Sequence, residues 1–191
     1  MKLLHQSVFF FLAAASFPNF LAAQKIDYPK TFRQLLEKTG VELLEPLDAG
    51  YKDFYLPQNE LQTCPFGLRS KKENLEIRYF VLPFDKRNYS SMNPHIQTMR
   101  MVATIATNEP ESFISVIQPG AQDMKRDFNA DWGRIYFFKP KPAFSNKPHC
   151  RMLALYKEGK GTVFVFYLFD KTDNPALDTR YFALRFLDAK L

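Results

Sequence analysis

Glycine is scarce in this sequence, 7 of 191 residues. A phosphate cradle needs several glycines close together so that backbone amides can approach the ligand. No such cluster occurs, which excludes the common nucleotide-binding loops. Histidine (three) and cysteine (two) are scarcer still. There is no G-x-S-x-G, no H-E-x-x-H and no Cys-x-x-Cys, so the familiar serine hydrolase, zinc protease and dithiol motifs are absent. Beyond residue 23 no apolar run approaches the roughly 20 residues that span a bilayer. These absences predict a chain with no cofactor, no metal site and no catalytic constellation of a known pattern.

The N-terminus is what the sequence has in place of such motifs. Lys2 is followed by an unbroken apolar run from Val8 to Ala15, then by small residues ending at Ala22 and Ala23. A basic start, a short apolar core and a small-residue site, in that order, describe a secretory signal peptide. The apolar core is too short for a membrane span, and Pro18 and Asn19 interrupt it. Cleavage after Ala23 places Leu21 at the −3 position, where a smaller residue is usual. The reading is therefore a signal peptide at 1–23 and one globular domain at 24–191, exported to the periplasm or the exterior, with no transmembrane segment after signal removal. Aromatic residues make up 16% of the chain, which argues against disorder.

Both cysteines, Cys64 and Cys150, lie in the domain, 86 positions apart. In an oxidising compartment an even count permits one disulfide, and two buried thiols are the other reading.

Along the domain, Phe32, Leu35 and Leu36 share a helical face between Pro29 and Gly40. Val41–Leu44 reads as a short extended segment, and 50–57 and 64–70 as weak strands. Leu75–Leu82 is a strong strand. Leu75, Ile77, Tyr79 and Val81 make one apolar face, while Glu76, Arg78, Phe80 and Leu82 make a face that begins polar and ends apolar. That second face is expected to be only partly covered. Asn93 and Pro94 open a helix carrying Ile96, Met99, Val102, Ala103 and Ala106. Residues 112–118 are ambiguous, and 122–130 reads as a short helix. Trp132–Phe138 is a strand, 139–149 a proline-containing loop, and Met152–Tyr156 with Thr162–Phe169 a hairpin. The run from Val163 to Phe169 is apolar on both faces, so it belongs at the centre of a sheet covered on both sides. Residues 175–187 read as a closing amphipathic helix, with a strand at 181–186 as the alternative. The pattern predicts an α/β (α+β) fold, a three-layer α-β-α sandwich around a mainly antiparallel sheet.

That element order resembles the small α-β-α sandwich of the PsbP and Mog1 group. The segment Phe128-Asn129-Ala130-Asp131-Trp132-Gly133, running into a strand, resembles a turn in uncharacterised exported bacterial proteins of that kind. The resemblance covers most of the domain and implies a binding or assembly factor rather than an enzyme. It transfers no functional residue.

Three local patterns touch chemistry. Asp127–Asp131 matches the start of a calcium loop, but Trp132 stands where glycine is needed and Phe138 where a bidentate glutamate is needed. His149 and Cys150 are adjacent, and neighbours on a strand point to opposite faces, so they form no dyad. Asn88-Tyr89-Ser90 is a glycosylation triplet that matters only in a eukaryotic host.

Charge is the remaining signal. Lys125, Arg126, Arg134, Lys139, Lys141, Lys147 and Arg151 stand against only Asp127 and Asp131, a local excess of five in a chain of net charge +6. This basic region is the candidate site for an anionic ligand or surface. Export argues against nucleic acid as the partner. The sequence is therefore read as an exported, non-enzymatic binding or assembly module whose partner is a protein or an anionic envelope component. A small exported hydrolase with an unfamiliar site is the alternative class.

Overall fold

The structure, a computed structural model, describes residues 26–88 and 92–188. The signal segment read at 1–23, and Tyr89 and Ser90 of the glycosylation triplet, lie outside the described residues. In chain order the elements are α1 (Lys30–Thr39), β1 (Val41–Leu43), a 3-10 turn (Leu47–Ala49), β2 (Lys52–Asp53), β3 (Phe66–Ser70), β4 (Leu75–Pro83), α2 (Pro94–Ile105), β5 (Ser115–Ile117), α3 (Ala121–Phe128), β6 (Trp132–Phe138), β7 (His149–Lys157), β8 (Gly161–Phe169), α4 (Ala176–Thr179) and β9 (Leu184–Phe186).

Seven strands make one sheet in the order β2-β3-β4-β8-β7-β6-β5, every neighbouring pair antiparallel. The fold class is α+β with a mainly antiparallel sheet. The doubly apolar run lies where its composition requires. β8 pairs with β4 on one side and β7 on the other, and all nine of its residues are buried.

Alternation along the strands feeds two separate cores. Ile77, Tyr79, Val81, Leu153, Leu155, Val163 and Val165 pack with Phe32 and Leu36 of α1 and with Met124 and Phe128 of α3. Met152, Ala154, Phe164, Phe166 and Leu168 pack instead with Met101, Val102 and Ile105 of α2. We call these the α1 face and the α2 face.

α1 ends at Gly40 as the sequence predicts, with Phe32 and Leu36 buried. Asn93 caps α2 by accepting a hydrogen bond from the Ile96 amide at 3.2 Å. The buried stripe of α2 is rotated from the expected one. Thr98, Met101, Val102 and Ile105, spaced i, i+3, i+4, i+7, meet the sheet, while Ile96 and Met99 stay exposed.

Two further expectations need correction. The closing helix over 175–187 stops after four residues, and Leu184–Phe186 forms β9, paired antiparallel with β1. Leu184 and Phe186 are buried and Arg185 is exposed, a period of two that no helix shows. Of the strand expected at 50–57 only Lys52–Asp53 remains, and the chain then runs irregularly to Phe66. β7 is longer than expected because it begins at His149, opposite Phe169.

Candidate functional site

Helix α2 covers only part of its face of the sheet. Over β3 and β4 the cover is two irregular segments, 54–65 and 139–148. Long structureless connections inside a compact domain are commonly functional. These two are anchored rather than loose. Asn59 donates to the Ala143 carbonyl at 2.5 Å, and its own Oδ1 accepts from the amides of Leu61 and Gln62. Phe144 is buried with its ring 5.2 Å from that of Phe166. The first segment approaches β3 where Gly67 has no side chain. A Cβ there would lie 2.8 Å from Leu56 Cδ1 and 2.9 Å from Phe54 Cε1.

The floor beneath these segments is the polar half of β4. Glu76 is almost fully buried and accepts from two guanidiniums, Arg69 on β3 at 2.8 Å and Arg78 on β4 at 2.6 Å. Arg78 also donates to the Phe144 carbonyl at 2.6 Å, with its guanidinium 4.9 Å from the Phe144 ring centre. One arginine thus ties the floor to the loop above. A cavity of about 430 Å³ opens beside it, lined by Arg69, Lys71, Glu76, Arg78, Lys147 and Asp170 among others. A smaller cavity of about 200 Å³ shares Arg78, Ser145 and Asn146 with it and is lined on its other side by Cys64 among others. Lys147 reaches Asp170 at 2.6 Å and Asn74 Oδ1 at 3.2 Å. Hydrogen bonds from Lys147 and Asn74 hold the Asp170 carboxyl below its ordinary range. The larger cavity carries four cations against two carboxylates, so its chemistry favours an anion.

Of the seven bases in the predicted basic region, only Lys147 lines this cavity. Lys125 and Arg126, on α3, meet Asp131 at 3.5 Å, and Asp123 and Asp127 at 3.0 and 2.6 Å. Arg134 lies 5.8 Å from the Trp132 ring. Lys139 pairs with Glu109 at 2.6 Å. Lys141 donates to the Ala103 and Thr104 carbonyls in the last turn of α2, a favourable place for a cation. Arg151 is buried, donates to the Leu177 carbonyl at 3.2 Å and sits 4.9 Å from the Tyr181 ring. Sequence reasoning missed Arg69, Glu76 and Arg78. The signal for Glu76 and Arg78 was the half-polar face of β4, legible as partial cover though not as a cavity floor, whereas Arg69 stands on β3, which reads only as a weak strand.

Cys64 and Cys150 are both buried and unbridged. They share the α2-face core. Burial pushes the Cys64 thiol up to about 12 and the Cys150 thiol higher. Burial disfavours the thiolate, so almost none exists at neutral pH. Neither thiol is expected to react with Ellman's reagent in the native protein, and both should react once denaturant is added. Rapid native reaction of either would contradict this burial. His149 stacks on Phe169, ring centres 5.6 Å apart, and Cys150 belongs to the opposite face of the strand. Among the described residues no group of three or more His, Cys, Asp or Glu could hold a metal ion. No helix among them is long and apolar enough to cross a membrane.

A second cavity, about 490 Å³ and mainly apolar, lies at the end of β6 and β7 between Phe113, Phe137 and Phe169. Neither family models, nor curated proteins, nor solved structures yield a match to this chain.

Proposed function

We propose that the protein is an exported, non-enzymatic binding or assembly module that takes an anionic ligand in the cavity floored by Arg69, Glu76 and Arg78. The observation that carries this reading is the excess of cations around a cavity of about 430 Å³, a volume within the usual range of ligand sites. Glu76 holds two guanidiniums in place, so the donors are positioned before any ligand arrives, and little ordering cost falls on binding. Lys71 and Lys147 at the rim add charge and set the salt dependence. α1 and α3 on one face and α2 on the other favour the three-layer α-β-α arrangement. The resemblance to the PsbP and Mog1 group points to the same class of function.

The test is an NMR shift titration with inorganic phosphate at low ionic strength. Saturable shifts are expected at the amides of 69–76 and 145–147. Replacing Lys71 and Lys147 together with alanine should weaken binding by about tenfold, while Lys125→Ala should leave it unchanged. Absence of saturation, or shifts spread evenly over Lys125, Arg134 and Lys139, would overturn the proposal.

A further inference from the structure

The two edges of the seven-stranded sheet are built differently. One edge is β2, only two residues long, and both residues, Lys52 and Asp53, are charged and exposed. A short charged edge strand is the usual protection against unwanted strand pairing. The other edge is β5, which among the described residues pairs only with β6. From Phe113 to Gln118 every residue is exposed. Phe113 is 80% exposed, and Ile114, Val116 and Ile117 about half. The stretch Ser112–Gln118 contains no charge, no proline and no glycine. It has high β propensity and, apart from the three-residue length of its paired part, lacks the charge, proline and bulge that keep an edge single.

From this asymmetry we infer that β5 is the surface on which a second copy of this chain adds, antiparallel, joining two seven-stranded sheets across a two-fold axis. The charge pattern selects a second copy as the occupant. An uncharged strand opposes no like charges when it pairs with itself. Its flanks differ in sign. Glu111 precedes it, Glu109 being already paired with Lys139 at 2.6 Å. Behind it α3 begins at Ala121, with Gly120 giving no side-chain cap to the first amides. Asp123 in that first turn is balanced by Arg126 at 3.0 Å, and Arg134 lies on β6 one residue beyond the last paired position. In an antiparallel pair centred on Val116, the Glu111 end of one copy runs towards the start of α3 in the other. The acidic flank then meets the positive end of a helix, once on each side of the axis. The same contact would shelter Phe113, which otherwise stands in solvent at the mouth of the apolar cavity.

The experiment is sedimentation equilibrium of the full chain, processed as it is exported, over a wide concentration range. A discrete dimer is expected because a two-fold contact closes on itself. Val116→Lys and Ile117→Lys should each shift the protein to monomer with an unchanged circular dichroism spectrum, since both positions are already exposed. Val116→Cys should form a covalent dimer on mild oxidation, because the native thiols are buried. A monomer at every concentration would overturn the inference. So would a dimer indifferent to both lysine variants, or an open series of larger species.

Discussion

Replacing Glu76 with alanine is expected to destabilise the protein by roughly 3–5 kcal/mol, the usual cost of removing one member of a buried ion pair. The Glu76 side chain is 5% exposed and that of Arg78 13%. Alanine at 76 would leave the largely buried Arg78 with the Phe144 carbonyl and ring but no carboxylate from Glu76, and would release Arg69 from its ion pair. The loss should appear as a fall in the urea midpoint with little change in slope. Replacing Glu76 and Arg78 together with leucine and methionine should recover much of the stability, because the desolvation cost disappears with the charges. The same double variant should lose phosphate binding, which separates the role of the triad in folding from its role in the cavity. A single-variant cost below about 1 kcal/mol would mean the triad is solvated and behaves as a surface ion pair.

Gly161→Ala is expected to be about as damaging for a different reason. Gly161 begins β8 and stands between Pro83 of β4 and Lys157 of β7. Its φ is +129°, a conformation that side-chain-bearing residues rarely adopt, and a Cβ there would lie 2.2 Å from the Leu82 carbonyl oxygen and 2.8 Å from the Phe84 nitrogen. Both neighbours are backbone, so neither can swing away. Strain and overlap together should cost about 3 kcal/mol or more, a fall in melting temperature of about 10 °C for a domain of this size. Gly159→Ala is the control. Its φ is also positive, at +70°, but nothing lies within 4 Å, so its cost should stay near 1 kcal/mol. Equal effects at the two positions would show that backbone conformation alone, and not the crossing of β4, makes Gly161 necessary.

What the sequence disclosed follows from the range over which each signal acts. The doubly apolar run of β8 and the capped start of α2 are local statements, and both match the structure. The half-polar face of β4 was legible as incomplete cover. What covers it was not, because segments 54–65 and 139–148 are held by contacts such as Asn59 to Ala143, 84 positions apart. Helix and strand stayed open over 181–186 because β1, the partner of β9, lies far back in the chain and a three-residue strand carries little pattern of its own. The excess charge between Lys125 and Arg151 is real in sequence. Its partners, such as Glu109 and Asp170, come from outside that window, so a local balance could not tell which cations are matched. The fold class rests on periodicity and composition, whereas the cavity depends on which distant segments meet.

The pairing of β1 with β9 has a consequence in time. Val41 lies opposite Phe186, so residues among the earliest to emerge wait for residues among the last. β4 waits as well, since β8 is its longer partner and β3 alone gives it only a hairpin. Two-stranded hairpins are marginal in water, and closing such distant contacts is slow. A chain made residue by residue therefore cannot complete its sheet before its last strands are free. It stays extensible until its end is free and then closes as one unit. A protein lacking residues 184–191 should be held in that unfinished state.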